Sequence, residues 1–179
     1  MSWVPNLITL GRLLMVPLVA VLLSNKLYTE AFWLFLAVGL SDGLDGFIAR
    51  RFDATSATGA LLDPVADKMI VITCAFVLAW NGSLPLWLAV PLIARDMLML
   101  SVGLTDPHLK EGWLPPNRVG KGHAALAFST LTLAIAQAAG LFDPGWLLTL
   151  LFVLLFVTVW VSAALYFVAW RRARTALLR

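Results

Sequence analysis

The chain has 179 residues, of which 61% are hydrophobic and 13% charged, with a formal net charge of +3 and a mean hydropathy of +0.89. A composition this apolar excludes an ordinary soluble domain, and the length allows one domain, residues 1–179, placed in a lipid bilayer. A single cysteine, Cys74, excludes an internal disulfide; no CxxC, HExxH, P-loop or dinucleotide-binding glycine pattern occurs, and nothing points to nucleic acid.

In chain order, Pro5 and Asn6 mark the entry to a first apolar run over residues 7–23, interrupted by Arg12. Its N-terminal flank lacks positive charge and no A-x-A-like site follows, so a membrane helix is expected rather than a cleavable signal. Arg12 either snorkels to the interface or pairs within the structure, or it turns toward a polar site and meets phosphate. A polar link over residues 24–30 leads to a second span at 31–50, and a third span follows at 59–80. The connection 51–58 is short enough to predict adjacent, antiparallel helices. Asn81, Gly82, Ser83 and Pro85 predict a turn, and the fourth span, which carries Arg95 and Asp96, runs to residue 103.

The segment 104–120 is the longest polar link and is expected along the membrane interface. A fifth span covers 121–139, Gly140, Asp143, Pro144 and Gly145 form a turn, and a sixth span covers 146–170 before a basic tail. The expected fold is therefore all-α, an integral membrane bundle of six transmembrane helices. Arg50, Arg51, Arg95, Lys110, Arg118, Lys121 and the tail arginines collect on one side, against Lys26 on the other, so the basic side and both termini are expected in the cytoplasm.

Four carboxylates interrupt this apolar background. On a helix turning about 100° per residue, Asp42, Asp45, Gly46 and Ala49 share one face, as do Gly59, Asp63 and Asp67, spaced four apart. Solvated loop acids or helix caps are the ordinary alternative. Carboxylates within apolar runs, however, are costly unless they meet cations or line a polar cavity. Oxygen ligands without Cys or His favour Mg²⁺, Mn²⁺ or Ca²⁺ over zinc. The neighbouring Gly46, Ala49 and Gly59 let a bulky polar ligand lie against backbone, or else let helices pack closely.

The pattern D-x2-D-G-x2-A-R-x8-G-x3-D-x3-D is matched at every fixed position by Asp42, Asp45, Gly46, Ala49, Arg50, Gly59, Asp63 and Asp67. In this the chain resembles the CDP-alcohol phosphotransferases. The resemblance implies an enzyme of phospholipid biosynthesis that moves a phosphatidyl group from CDP-diacylglycerol to an alcohol and releases CMP. It also implies two Mg²⁺ or Mn²⁺ ions on Asp42, Asp45, Asp63 and Asp67, with Asp67 as base toward the acceptor hydroxyl. Gly46, Ala49, Arg50 and Gly59, together with the carboxylates, would receive the CDP moiety. The implied protein is a homodimer in a bacterial inner membrane, in contact with membrane lipids, with its polar cavity facing the cytoplasm. Paired metals about 4 Å apart suit the charge neutralisation that attack on a phosphoanhydride requires.

Acceptor binding is expected at Arg95, Arg118 and Lys121, joined by Lys68. The opening PNLITLGRLLMVP and the DPVADK segment are similar to the phosphatidylglycerophosphate synthases of the family, which gives glycerol 3-phosphate as the expected acceptor. The fifth span departs from their Gly-Lys-x-Lys-Thr start, reading Gly120, Lys121, Gly122, His123, Ala124, with His123 a substitute cation if protonated. The Arg95 and Asp96 pair looks like that of the cardiolipin synthases, so phosphatidylglycerol is the alternative acceptor. A membrane cation carrier is the remaining reading, opposed by carboxylates that cluster at one face.

Overall fold

A computed structural model describes the backbone of residues 3–52, 57–105 and 118–177, and the side-chain surroundings of residues 11–41, 65–101, 119–168 and 171. The elements within these residues are helices: α1 (Trp3–Ser24), α2 (Tyr28–Phe52), α3 (Ala57–Trp80), α4 (Leu86–Thr105), α5 (Arg118–Ala138) and α6 (Trp146–Leu177). Each matches one of the apolar runs, but several extend beyond it. Helix α2 begins inside the expected link at 24–30, and α6 continues through the basic tail to Leu177. Hydropathy marks where lipid begins, whereas a helix continues through any good helix former, and the tail is rich in Arg, Ala and Leu. The expected connections at 51–58 and 104–120 fall in part on residues 53–56 and 106–117, which lie outside the described residues.

Three helices end alike, on the same hydrogen-bonding motif. Leu27 N–H donates to the Leu22 carbonyl (2.9 Å), Ser83 N–H to Leu78 (2.8 Å) and Leu141 N–H to Ala136 (3.0 Å). Each motif turns on a left-handed residue, Lys26 (φ 60°), Gly82 (φ 79°) or Gly140 (φ 66°). The Asn81 side chain then donates to the Leu23 carbonyl (2.8 Å), tying the C-terminal ends of α1 and α3 together. These two helices therefore run parallel as neighbours, with α2 returning between them in sequence.

Helix α1 packs on α2 and α3, α4 on α3 and α6, and α5 on α2, α3 and α6. Among the residues whose surroundings are described, α2 and α3 make no direct contact, and the helix ends nearest their short connection, where adjacency is expected, lie outside those residues. A short connection fixes only the helix ends, and α1 and α5 each pack against both α2 and α3. The core is built from Val19, Leu23, Phe35, Leu78, Leu88, Leu131, Ile135 and Leu155. The outer surface is equally apolar: Trp33, Leu40, Phe76, Val90, Val157, Trp160 and Phe167 are all exposed. Such a surface suits lipid rather than water. Among the described residues, Val119–Ala138 and Trp146–Val168 are long and apolar enough to cross a membrane, while Gly11–Ser24 and Tyr28–Ser41 are shorter apolar stretches.

Candidate active site

A cavity of about 550 Å³ opens among α1, α2, α3, α4 and α5. Helix α1 contributes Arg12, α2 contributes Val38 and Gly39, and α3 contributes Ala66, Asp67, Lys68, Ile70 and Val71. Asp96 of α4 and His123, Ala124, Ala125, Ala127 and Phe128 of α5 complete the lining. At Gly39 the side of α2 lies against Phe128 of α5, and a Cβ at this position would run into the Phe128 ring. That ring stacks on Phe35 with centroids 4.8 Å apart. Glycine at 39 thus leaves room for the Phe128 ring, which lines the cavity while Phe35 backs it from the core.

Two ion pairs face the space. Arg12, buried in α1, donates from Nη1 to Asp67 Oδ1 at 2.8 Å. Arg12 thus makes the structural pairing that was one expected role, and it also faces the polar site, which was another. Asp67 itself is 48% exposed, so its carboxylate stays accessible to a ligand. Lys68 Nζ donates to Asp96 Oδ1 at 2.9 Å. The same Asp96 oxygen accepts from Arg95 Nη1, and Arg95 Nη2 donates to Ser162 Oγ at 2.6 Å. The Arg95 guanidinium also lies 5.8 Å from the centroid of the Tyr166 ring.

Of the residues expected at the site, Asp67 lines the cavity, as does Lys68. Arg95 does not line it; it lies buried behind Asp96 and acts on the cavity through that carboxylate. Lys121 is exposed on α5 and does not line the cavity either. Asp42, Asp45, Gly46, Ala49 and Arg50 belong to α2, Gly59 and Asp63 to α3 and Arg118 to α5, but their side chains lie outside the described residues. Along these helices, Asp42 follows the lining residue Val38 by one turn and Asp63 precedes Asp67 by one turn.

Sequence reasoning did not single out Gly39, Phe128, Thr158 or Ser162. A signal for the last two exists, since two hydroxyls spaced four apart stand in the otherwise apolar run of α6. His123 Nδ1 lies 3.0 Å from Thr158 Oγ1, so that hydroxyl anchors the imidazole from the neighbouring helix.

A helical bundle with an apolar outer surface and a cavity carrying paired charges is the build of a membrane protein that handles a polar ligand. A family model described as CDP-alcohol phosphatidyltransferase matches residues 2–170, and the chain belongs to that family. A cardiolipin synthase (CMP-forming) of Streptomyces coelicolor is 35% identical over 94% of this chain and 83% of its own length. A Schizosaccharomyces pombe cardiolipin synthase (CMP-forming) / mitochondrial hydrolase fusion protein is 34% identical over 90% of this chain, which spans only 30% of the fusion. An Arabidopsis thaliana CDP-diacylglycerol--glycerol-3-phosphate 3-phosphatidyltransferase is 34% identical over 90% of this chain and 60% of its own length. Membership makes the chain an enzyme of phospholipid biosynthesis.

Proposed function

We propose that the chain transfers the phosphatidyl group of CDP-diacylglycerol to phosphatidylglycerol, releasing CMP and forming cardiolipin. The observation that carries the choice of acceptor is the cavity's balance of charge. Among its described lining residues, each cation already faces a carboxylate, Arg12 with Asp67 and Lys68 with Asp96, and most of the remaining wall is apolar. A dianionic acceptor needs surplus positive charge, whereas a lipid phosphodiester carries one negative charge and brings apolar surface of its own. The Streptomyces relative, a cardiolipin synthase, supports the same choice.

In the reaction, the acceptor hydroxyl oxygen attacks the phosphatidyl phosphorus. The anhydride P–O bond breaks, its electron pair leaves with CMP, and Asp67 takes the hydroxyl proton. Arg12, bonded to Asp67 Oδ1, holds that carboxylate at the cavity. The half-exposed Asp67 side chain and an all-carboxylate donor set suit a hard divalent cation, so Asp42, Asp45, Asp63 and Asp67 would hold two Mg²⁺ or Mn²⁺ ions. Bound there, the ions would neutralise charge on the transferred phosphoryl group. The CDP moiety would lie against Gly46, Ala49, Arg50 and Gly59. The bundle is read as six membrane spans in a bacterial inner membrane, with the cavity toward the cytoplasm, where the nucleotide-linked donor is available. Resemblance to the family further implies a homodimer.

Glycerol 3-phosphate is the second reading, favoured by the Arabidopsis relative and by the opening of the chain. In that case Arg118 and Lys121, at the start of α5, would supply the missing positive charge. Purified protein incubated with CDP-diacylglycerol and each acceptor, with the lipid product identified by mass, tests both. Cardiolipin is expected with phosphatidylglycerol, and formation of phosphatidylglycerophosphate alone would give the acceptor role to glycerol 3-phosphate. Chelation of divalent ions, or Asp42→Asn, Asp45→Asn or Asp63→Asn, is expected to abolish turnover without loss of folding.

A further inference from the structure

His123 is 1% exposed, lines the cavity from α5, and is not used in the reaction described above. Its hydrogen-bond roles follow from its neighbour. Thr158 has one hydroxyl proton, which Oγ1 donates to the Leu155 carbonyl at 2.9 Å. Toward His123 Nδ1, 3.0 Å away, the same oxygen is therefore the acceptor, and Nδ1 carries the proton. In the neutral ring this leaves Nε2 with a lone pair, and Nε2 is buried with no hydrogen-bond partner among the described residues. A buried acceptor without a partner calls for a donor from a ligand or ordered water. The ring is thus set to accept a hydrogen bond, a different task from the substitute cation suggested by the sequence.

We propose that His123 Nε2 accepts a hydrogen bond from the acceptor's second hydroxyl, the one adjacent to the attacking hydroxyl, making His123 a specificity-determining residue for glycerol-type acceptors. The inference rests on the phosphatidyl-transfer reading of the cavity. There, the attacking hydroxyl must sit with Asp67 on α3 and the CDP moiety lies against α2 and α3, which leaves the α5 wall to the rest of the acceptor. Both candidate acceptors carry a vicinal hydroxyl, so the assignment holds for either. Thr158 is a positioning residue, fixing the ring and its tautomer.

The test compares each acceptor with its analogue lacking that hydroxyl: phosphatidylglycerol with phosphatidyl-1,3-propanediol, and glycerol 3-phosphate with 3-hydroxypropyl phosphate. The wild-type enzyme is expected to favour the hydroxylated acceptor in kcat/KM by about ten- to a hundredfold, the usual penalty for leaving a buried polar group unmet. His123→Ala should bring that ratio close to one, and Thr158→Val should lower it in the same direction with the imidazole still present. The ratio is internal to each variant, so partial loss of folded protein does not alter it, and Thr158→Val serves if His123→Ala does not fold. A wild-type ratio near one would overturn the proposal. So would a ratio unchanged in Thr158→Val and in folded His123→Ala, or loss of turnover with every acceptor in folded His123→Ala. Failure of the wild-type enzyme to use any of the four acceptors would instead reject the phosphatidyl-transfer reading itself.

Discussion

Asp96 is the residue on which two cations converge at the cavity wall. It is buried, and it accepts from both Lys68 on α3 and Arg95 beside it on α4. Its replacement by Asn keeps the shape but leaves two cations near one another with no carboxylate between them. Removing one partner from a buried ion pair costs about 3–5 kcal/mol, because the remaining charge stays out of water. Asp96→Asn is therefore expected to lower stability on that scale, measured by unfolding of the detergent-solubilised protein. Ser162→Ala removes only a neutral acceptor from Arg95 Nη2 and should cost less, about 1–3 kcal/mol. Equal losses in the two variants would mean that Asp96 is not the centre of the network. Arg95 illustrates how a residue type can be right and its place unexpected: its charge suggested direct contact with an anionic ligand, whereas its guanidinium is occupied by Asp96, Ser162 and Tyr166.

At the scale of elements, the approach of α2 to α5 depends on Gly39. A methyl group there meets the Phe128 ring, which cannot withdraw freely because it is stacked on Phe35. Gly39→Ala is expected to destabilise the protein by about 1–3 kcal/mol through overpacking, measured by the same unfolding assay. Adding Phe128→Leu should recover part of the loss, since a smaller side chain opens room for the methyl. An additive double variant would show that Gly39 and Phe128 do not press on each other. The existence and order of the helices were readable from hydropathy, because each apolar run is a local property of its own stretch of sequence. The lack of direct contact between the described parts of α2 and α3 was not, because connection length constrains helix ends and carries no information about what inserts between their middles.

For the whole molecule, the tie from Asn81 to Leu23 fixes one end of the bundle, and exposed Trp80, Trp87 and Trp146 lie near the helix ends on that side. Tryptophans in such positions suit a membrane interface. Lys26 and Asp143 belong to the turns at this end, while Arg171 lies near the far end of α6. If six spans cross the bilayer, cysteines placed at residues 26, 81 and 143 in a Cys74→Ala background will label together from outside the cell, and a cysteine at residue 171 will label only after the membrane is opened. Labelling of residue 143 from the cytoplasmic side would reverse the orientation and put the cavity out of reach of the donor.

The sequence by itself determined the helical class, the order of the helices, the family and the spacing of its four carboxylates. These are local properties: hydropathy follows each run, and a motif of eight fixed positions is carried by two consecutive helices. Only the tertiary structure decided that Arg12 binds Asp67, that Lys68 and Arg95 share Asp96, and that Thr158 orients His123. Each of these contacts joins different helices or converges on one carboxylate from two of them. No periodicity along the chain encodes which face of one helix meets which face of another, because that choice is made by packing. The meeting of five helices around one cavity, where the paired charges face each other, is decided the same way.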